Sequence, residues 1–277
     1  MKKVTLPCGE SVSALGQGTW YLGDDPSTRD QEIAALRTGI DLGMTLIDTA
    51  EMYGGGRSER LVGAALEGCR DDVFLVSKVL PSNASKKKTI AACEASLERL
   101  GTDRLDLYLL HWQGSAPYSD TIAAFEQLKA DGKIRHYGIS NLDLDATREF
   151  VDTPGGEAIQ TNQLLFNLNQ RGIEWDLLPW LQERSITTMA YSPFDGGSLT
   201  SHPGLAAFAA ERDMTAGQAA MAWLLVHDGV IPIPKSASAE RVRENAAAGD
   251  MELTQADREE LDTLFTAPAG PSPLQIY

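Results

Sequence analysis

What most limits the folds open to this chain is a regular alternation. Short apolar runs of strand length take turns with amphipathic stretches of helical spacing, eight times over, with no linker or low-complexity break. The strand-like runs lie near residues 14–18, 46–49, 73–77, 105–110, 136–139, 158–161, 187–190 and 230–231. Helical patterns fall near 28–42, 58–67, 85–99, 121–130, 143–151, 175–183, 215–226 and 239–247, with a last one at 255–265. Ahead of them, residues 3–6 and 11–14 flank the turn Pro7-Cys8-Gly9-Glu10 and read as a hairpin. Terminal signals agree with these bounds. Gly101 and Asp131-Gly132 close helices, Thr215 offers an N-cap, and Pro232 and Pro234 shorten the last strand because proline cannot donate to a ladder. Strand and helix in strict alternation imply parallel pairing, and 277 residues suit one α/β barrel, typically about 250 residues long. The expected architecture is a single (β/α)8 TIM barrel over residues 1–277, with an N-terminal β-hairpin and an extra C-terminal helix. A doubly wound dinucleotide fold would want G-x-G-x-x-G after the first strand. Gly16-Gln-Gly-Thr-Trp-Tyr21 breaks that pattern at its last position.

Net charge is −15, from 24 Lys+Arg against 39 Asp+Glu, which argues against a general affinity for nucleic acid or an acidic membrane surface. No apolar run approaches the roughly 20 residues of a membrane span. The Met-Lys-Lys start lacks the apolar region of a signal peptide. Cys8, Cys69 and Cys93 form no CxxC pair, and His136, His202 and His227 show no metal-ligand spacing, so no metal centre is expected. A cytoplasmic monomer acting on small molecules is the expectation.

In such barrels the chemistry gathers at the C-terminal ends of the strands. Asp48 ends the second run, and Tyr53 follows in a loop whose Gly54-Gly-Gly56 lets the backbone turn tightly. Lys78 ends the third run and His111 the fourth; Ser140-Asn141, Gln163, Tyr191-Ser192 and Lys235-Ser236 close the others. Each has a plain structural reading by itself: Asp48 a cap, Tyr53 a rim residue, His111 a satisfied core histidine. Lys78 has the fewest, since lysines are almost never fully buried unless paired. Together they describe a proton donor. A phenol, with a pKa ordinarily about 10, becomes a useful acid when a cation draws that value down. Lys78 is the expected cation, Asp48 its orienter, and His111 a hydrogen-bond partner that polarises a carbonyl oxygen.

This set, in this order, resembles the aldo-keto reductase superfamily, and the resemblance covers nearly the whole chain. It takes in the hairpin, Gly16-Gln-Gly-Thr-Trp20, Asp48-Thr-Ala-Glu-Met-Tyr-Gly54, Leu107-Tyr-Leu-Leu-His-Trp112, Gly138-Ile-Ser-Asn141 and Ile231-Pro-Ile-Pro-Lys-Ser236. The resemblance implies an NADPH-dependent enzyme that reduces aldehydes and ketones, with Asp48, Tyr53, Lys78 and His111 as catalytic tetrad and Tyr53 as general acid. It implies that Ser140, Asn141 and Gln163 hold the nicotinamide carboxamide, that Tyr191 stacks on its ring and that Ser192 meets the pyrophosphate. Lys235, Ser236 and Arg241 match the pocket for the adenosine 2′-phosphate, with Glu244 and Asn245 near the adenine. A lysine, a hydroxyl and an arginine gathered in so acidic a chain also favour a phosphate on general grounds. NADPH is therefore expected ahead of NADH, whose use stays open.

Trp20 and Trp112 are expected to line an apolar substrate pocket, with core packing as the alternative, while Trp175, Trp180 and Trp223 read as packing residues. Two departures from the family pattern stand out. Gln113 replaces a common proline, and Asp195 puts a carboxylate close to the expected pyrophosphate loop. The short loop 113–119 and brief tail 271–277 suit an open site for small or aromatic aldehydes, dicarbonyls such as methylglyoxal among them. Other readings on the same scaffold are a cofactor-binding regulatory subunit and a hydrolase or aldolase using Lys78 as a Schiff base.

Overall fold

The computed structural model describes all residues, Met1–Tyr277. Strands β1 (Lys3–Thr5) and β2 (Ser11–Ser13) form the antiparallel hairpin. Eight parallel strands follow and pair in sequence order: β3 (Gly16–Gly18), β4 (Leu46–Asp48), β5 (Phe74–Val79), β6 (Leu105–Leu110), β7 (Ile134–Ser140), β8 (Thr161–Leu165), β9 (Thr187–Tyr191) and β10 (Val230–Pro232). A parallel bridge between Gly18 and Lys235 brings the last strand beside the first. That closure needs a glycine, because a Cβ on Gly18 would stand 2.8 Å from the Ile233 carbonyl oxygen.

Outside the strands lie α1 (Arg29–Asp41), α2 (Arg57–Ala65), α3 (Lys86–Leu100), α4 (Tyr118–Ala130), α5 (Leu144–Asp152) and α6 (Leu177–Glu183). The ring continues with α7 (Pro203–Ala210), α8 (Ala216–Leu225) and α9 (Ala239–Ala247), and α10 (Gln255–Leu264) is the extra helix. No helix is long and apolar enough to cross a membrane.

Period-two alternation along the strands builds the interior. Leu46, Phe74, Val76, Leu107, Leu109, Met189, Ile231 and Ile233 form an apolar floor inside the barrel, and Leu6 and Val12 of the hairpin close it from below. The next inward position on each strand is two residues further on. Those positions are Asp48, Lys78, His111, Tyr191 and Lys235. One strand geometry therefore puts apolar packing at the bottom and the polar set at the top.

Three expectations need correction. The sixth barrel strand runs over Thr161–Leu165, not 158–161, and Ala158 belongs to a 3-10 turn. Hydropathy misleads here because Thr161, Asn162 and Gln163 are polar yet buried, with Asn162 donating to the Leu142 carbonyl and Thr147. Helix α7 has no counterpart in the sequence reading: Pro-Gly-Leu-Ala-Ala-Phe-Ala-Ala carries no polar face to mark a helical period. Trp175 is 48% exposed and precedes α6, so it is not a packing residue, whereas Trp223 is buried.

Candidate active site

The Lys78 ammonium is fully buried, and each of its three donors has an acceptor. It donates to Asp48 Oδ2 at 2.8 Å, to the Thr49 carbonyl at 2.8 Å and to the Tyr53 hydroxyl oxygen at 3.2 Å. Because that oxygen accepts from Lys78, its own proton is free to point elsewhere. Asp48 is held in turn by Gln163, whose Nε2 donates to Oδ1 at 2.7 Å. Gly54 and Gly55 take left-handed φ angles of 56° and 60°, which folds the loop back so that Tyr53 faces the lysine.

The expected depression of the Tyr53 pKa is overturned. Burial, seconded by the Asp48 carboxylate, pushes the phenol well above its ordinary value. The physical reason is that a phenolate here would lose its water while the nearby positive charge is already committed to Asp48. Burial also lowers the Lys78 pKa, an effect opposed by the Asp48 charge and hydrogen bond. His111 is brought down to about 2, first by burial and then by Lys78, so its imidazole is neutral. Its Nδ1 is buried without a partner. An unpaired N–H costs more there than an unpaired lone pair, so the ring proton belongs on Nε2.

These groups stand at one end of a cleft of about 720 Å³. Trp20, Tyr21, Met52 and Trp112 wall the mouth beside Tyr53, with Trp20 stacked on Tyr21 at 4.6 Å. The cleft continues past Asn141, Gln163, Tyr191 and Ser192 to Lys235, Ser236, Arg241, Glu244 and Asn245 at its far end. Neither Lys235 nor Arg241 forms a salt bridge, so two positive charges face this part of the cleft unspent. The N-terminal turn of α8, where Ala216 and Gly217 line the cleft, adds orphan N–H groups along the same wall, whereas the Arg241 amide of α9 is taken by Ser238 Oγ. The arrangement offers an elongated anionic ligand a seat that ends beside a buried lysine–phenol pair.

A family model described as aldo/keto reductase matches residues 14–265. The chain belongs to the aldo/keto reductase family. It is 50% identical over 271 residues to methylglyoxal reductase YeaE of Escherichia coli, with 96% of this chain and 95% of that protein covered. It is 35% identical to glyoxal reductase of Bacillus subtilis over 277 residues, covering 99% of this chain and 96% of the relative. Among solved structures, an aldo-keto reductase from Klebsiella pneumoniae in complex with NADPH matches with a TM-score of 0.97 and 46% identity over the whole of both chains.

In this aldo/keto reductase, nearly all the residues singled out from sequence converge on the one cleft. Two stand behind its wall: Lys78, fully buried behind Asp48 and Tyr53, and Ser140, whose buried hydroxyl donates to the Gln163 carbonyl at 2.9 Å and accepts from Asn141 Nδ2. Asp195 does not line the cleft, although its neighbours Phe194 and Gly196 do. Its carboxylate accepts from Asn169 at 2.8 Å, from Ser198 at 2.7 Å and from the Tyr277 hydroxyl. Burial would raise its pKa, but those hydrogen bonds outweigh burial and hold it below the usual carboxylate range. Of the tail, only Ile276 and Tyr277 reach the cleft.

Sequence reasoning missed Tyr21, Met52, the α8 N-terminus and Glu51. Glu51 accepts from the Leu80 amide at 2.7 Å and from Asn83 at 3.1 Å, tying the Tyr53 loop to the end of β5. Its place between Asp48 and Tyr53 was the available signal. Thr215 was legible as a cap, but where that helix end points depends on tertiary packing.

Proposed function

We propose that this protein is an NADPH-dependent reductase of small aldehydes and α-dicarbonyls, methylglyoxal foremost, with Tyr53 as its general acid. The observation that carries the reading is the threefold bonding of Lys78, which leaves the Tyr53 proton free at the wall of the cleft beside His111. NADPH supplies a hydride to the carbonyl carbon when it is bound. The cleft fits that group chemically, since Lys235 and Arg241 are unpaired cations beside Ser236 and suit a 2′-phosphate. Glu244 and Asn245 would take the adenine end, and Ser192 with the α8 N-terminus the pyrophosphate. Asn141 and Gln163 would hold the carboxamide, Tyr191 would stack on the ring, and Ser140 would steady Asn141. The same unpaired cations predict that NADH binds more weakly.

The chain's own residues account for the proton. His111, neutral with its proton on Nε2, donates to the carbonyl oxygen and fixes its position. Tyr53 passes its proton to that oxygen as negative charge develops there. A raised phenol pKa does not prevent this, because an alkoxide is a far stronger base than a phenolate. Aromatic walls and an open mouth suit small substrates. The names of the Escherichia coli and Bacillus subtilis relatives support the dicarbonyl class.

The test is NADPH oxidation across methylglyoxal, glyoxal, benzaldehyde, simple ketones and aldoses. The dicarbonyls are expected to give the highest kcat/KM. NADPH binding without oxidation by any of them would overturn the enzymatic reading, and aldoses ahead of dicarbonyls would overturn the substrate class.

A further inference from the structure

At the opposite end of the barrel the hairpin turn carries a second cluster. Gly9, in the left-handed region at φ 88°, turns the chain so that Cys8 and Glu10 both face His136 of β7. Cys8 Sγ lies 3.7 Å from His136 Nε2, and Glu10 Oε2 lies 3.0 Å from the same nitrogen. The three ligand atoms are all within 4.8 Å of one another. The turn is anchored, because the Cys8 amide donates to Gln160 Oε1 at 2.9 Å and Gln160 Nε2 donates to the Ala158 carbonyl at 2.6 Å.

Convergence on one nitrogen decides what the cluster can do. A thiol–imidazole–carboxylate relay uses opposite ring nitrogens, one for the nucleophile and one for the acid that orients the ring. Here Nε2 carries either one proton or one lone pair, and satisfies only one of its two neighbours. A cation among the three atoms meets all of them at once. The spacing agrees: zinc, with bonds of about 2.3 Å to sulfur and about 2.0–2.1 Å to nitrogen or oxygen, separates tetrahedral S and N ligands by roughly 3.6 Å and N and O ligands by roughly 3.3 Å. Arg135 Nη2 donates to Glu10 Oε2 at 2.9 Å and Nη1 to Asp106 Oδ1 at 2.9 Å, but it hydrogen-bonds neither Cys8 nor His136. Glu10 Oε1 has no partner, and Cys8 is exposed, which leaves an entry path.

We propose that Cys8, Glu10 and His136 form a binding site for a thiophilic divalent cation, zinc foremost, that clamps the hairpin to β7. The fourth position would hold water. Binding takes Cys8 as the thiolate, its proton passing to solvent, and His136 as the neutral ring protonated on Nδ1. Leu6 and Val12 of the same hairpin seal the barrel floor, so the cation acts on the stability of that end. The tetrad lies beyond the apolar floor, and turnover is untouched. Sequence spacing hides the site, since Glu10 and His136 are 126 residues apart.

Calorimetry with zinc chloride alone, on metal-free full-length protein, should give one zinc per chain, and zinc should raise the melting temperature. Cobalt(II) should give a thiolate-to-cobalt band in the near ultraviolet. Cys8→Ser should abolish that band, and both Cys8→Ser and His136→Gln should weaken zinc binding by about tenfold or more. Cys69→Ser should leave band and affinity unchanged. Retained methylglyoxal turnover in each variant reports that it is folded. Absence of stoichiometric zinc binding by the unsubstituted protein, or affinity in Cys8→Ser and His136→Gln equal to that of the unsubstituted protein, would overturn the site.

Discussion

Tyr53 keeps its proton in the folded barrel. Its oxygen accepts from Lys78, and burial and Asp48 together raise its pKa well above the ordinary value. Tyr53→Phe keeps the ring and its packing but removes the acid, so kcat should fall by about 10²–10⁴-fold. NADPH affinity, followed by quenching of tryptophan fluorescence, should stay within about twofold, because the phenyl ring fills the same space. Unchanged turnover would remove Tyr53 from the chemistry. The sign of the pH effect follows from the same pKa. A group whose pKa is raised stays protonated up to that value, so the rate of methylglyoxal reduction should not decline with an acid's titration below about pH 9. A midpoint near neutrality would mean a depressed phenol instead. That Asp48, Lys78 and His111 meet was legible because a strand's inward row continues past its apolar residues, and Leu46, Val76 and Leu109 lie two positions before them. The direction of the phenol's shift was not legible, since it depends on how much water the finished cleft admits.

Loops and helix ends, rather than strands, decide how accurately this residue is placed. Glu51 stitches the loop that carries Tyr53 to the chain just beyond Lys78, through the Leu80 amide and Asn83. Glu51→Ala should lower kcat by roughly tenfold while KM and NADPH affinity change little, because misplacing a catalytic group by about 1 Å can cost as much as 10²-fold. Glu51→Gln retains an acceptor and should recover most of that loss. A matching rise in KM, or no rescue by glutamine, would mean Glu51 serves only to hold the fold. At the far end of the cleft, Lys235 and Arg241 should act on the phosphate alone. Each changed to alanine should weaken NADPH binding by about tenfold or more, the worth of a charge-assisted contact, with NADH affinity nearly unchanged. Equal losses for both would undo the 2′-phosphate assignment. Elements were legible where one face is apolar, as in the alternating strands and amphipathic helices. They were lost where all faces are alike, as in the alanine-rich α7, or where polar side chains are buried, as in β8.

The whole barrel sorts its interior by height, with apolar packing below and polar and charged groups above, and this has a consequence for stability. His111 belongs to the upper layer, where burial and Lys78 bring its pKa from 6.5 to about 2. An unfolded chain protonates this histidine below about pH 6.5 and the folded protein does not, so the unfolded state binds more protons and stability falls as pH falls through that value. For this one group the loss between pH 6.5 and 5.5 is about 1 kcal/mol. His227, half-buried and with its pKa also lowered by loss of water, pulls in the same direction. The net charge of −15 works against both, since acid relieves self-repulsion as carboxylates are protonated. A bare pH–stability curve therefore mixes the two effects, and the comparison must be made between proteins that share the same surface. Urea unfolding of the unsubstituted protein and of His111→Gln, each at about pH 7.5, 6.5 and 5.5, isolates the histidine. The curves should converge toward acid by about 1 kcal/mol over the last step, whatever the absolute cost of the substitution. Parallel curves would mean that the imidazole takes up a proton in the folded barrel, and the neutral His111 on which the carbonyl contact depends would have to be abandoned.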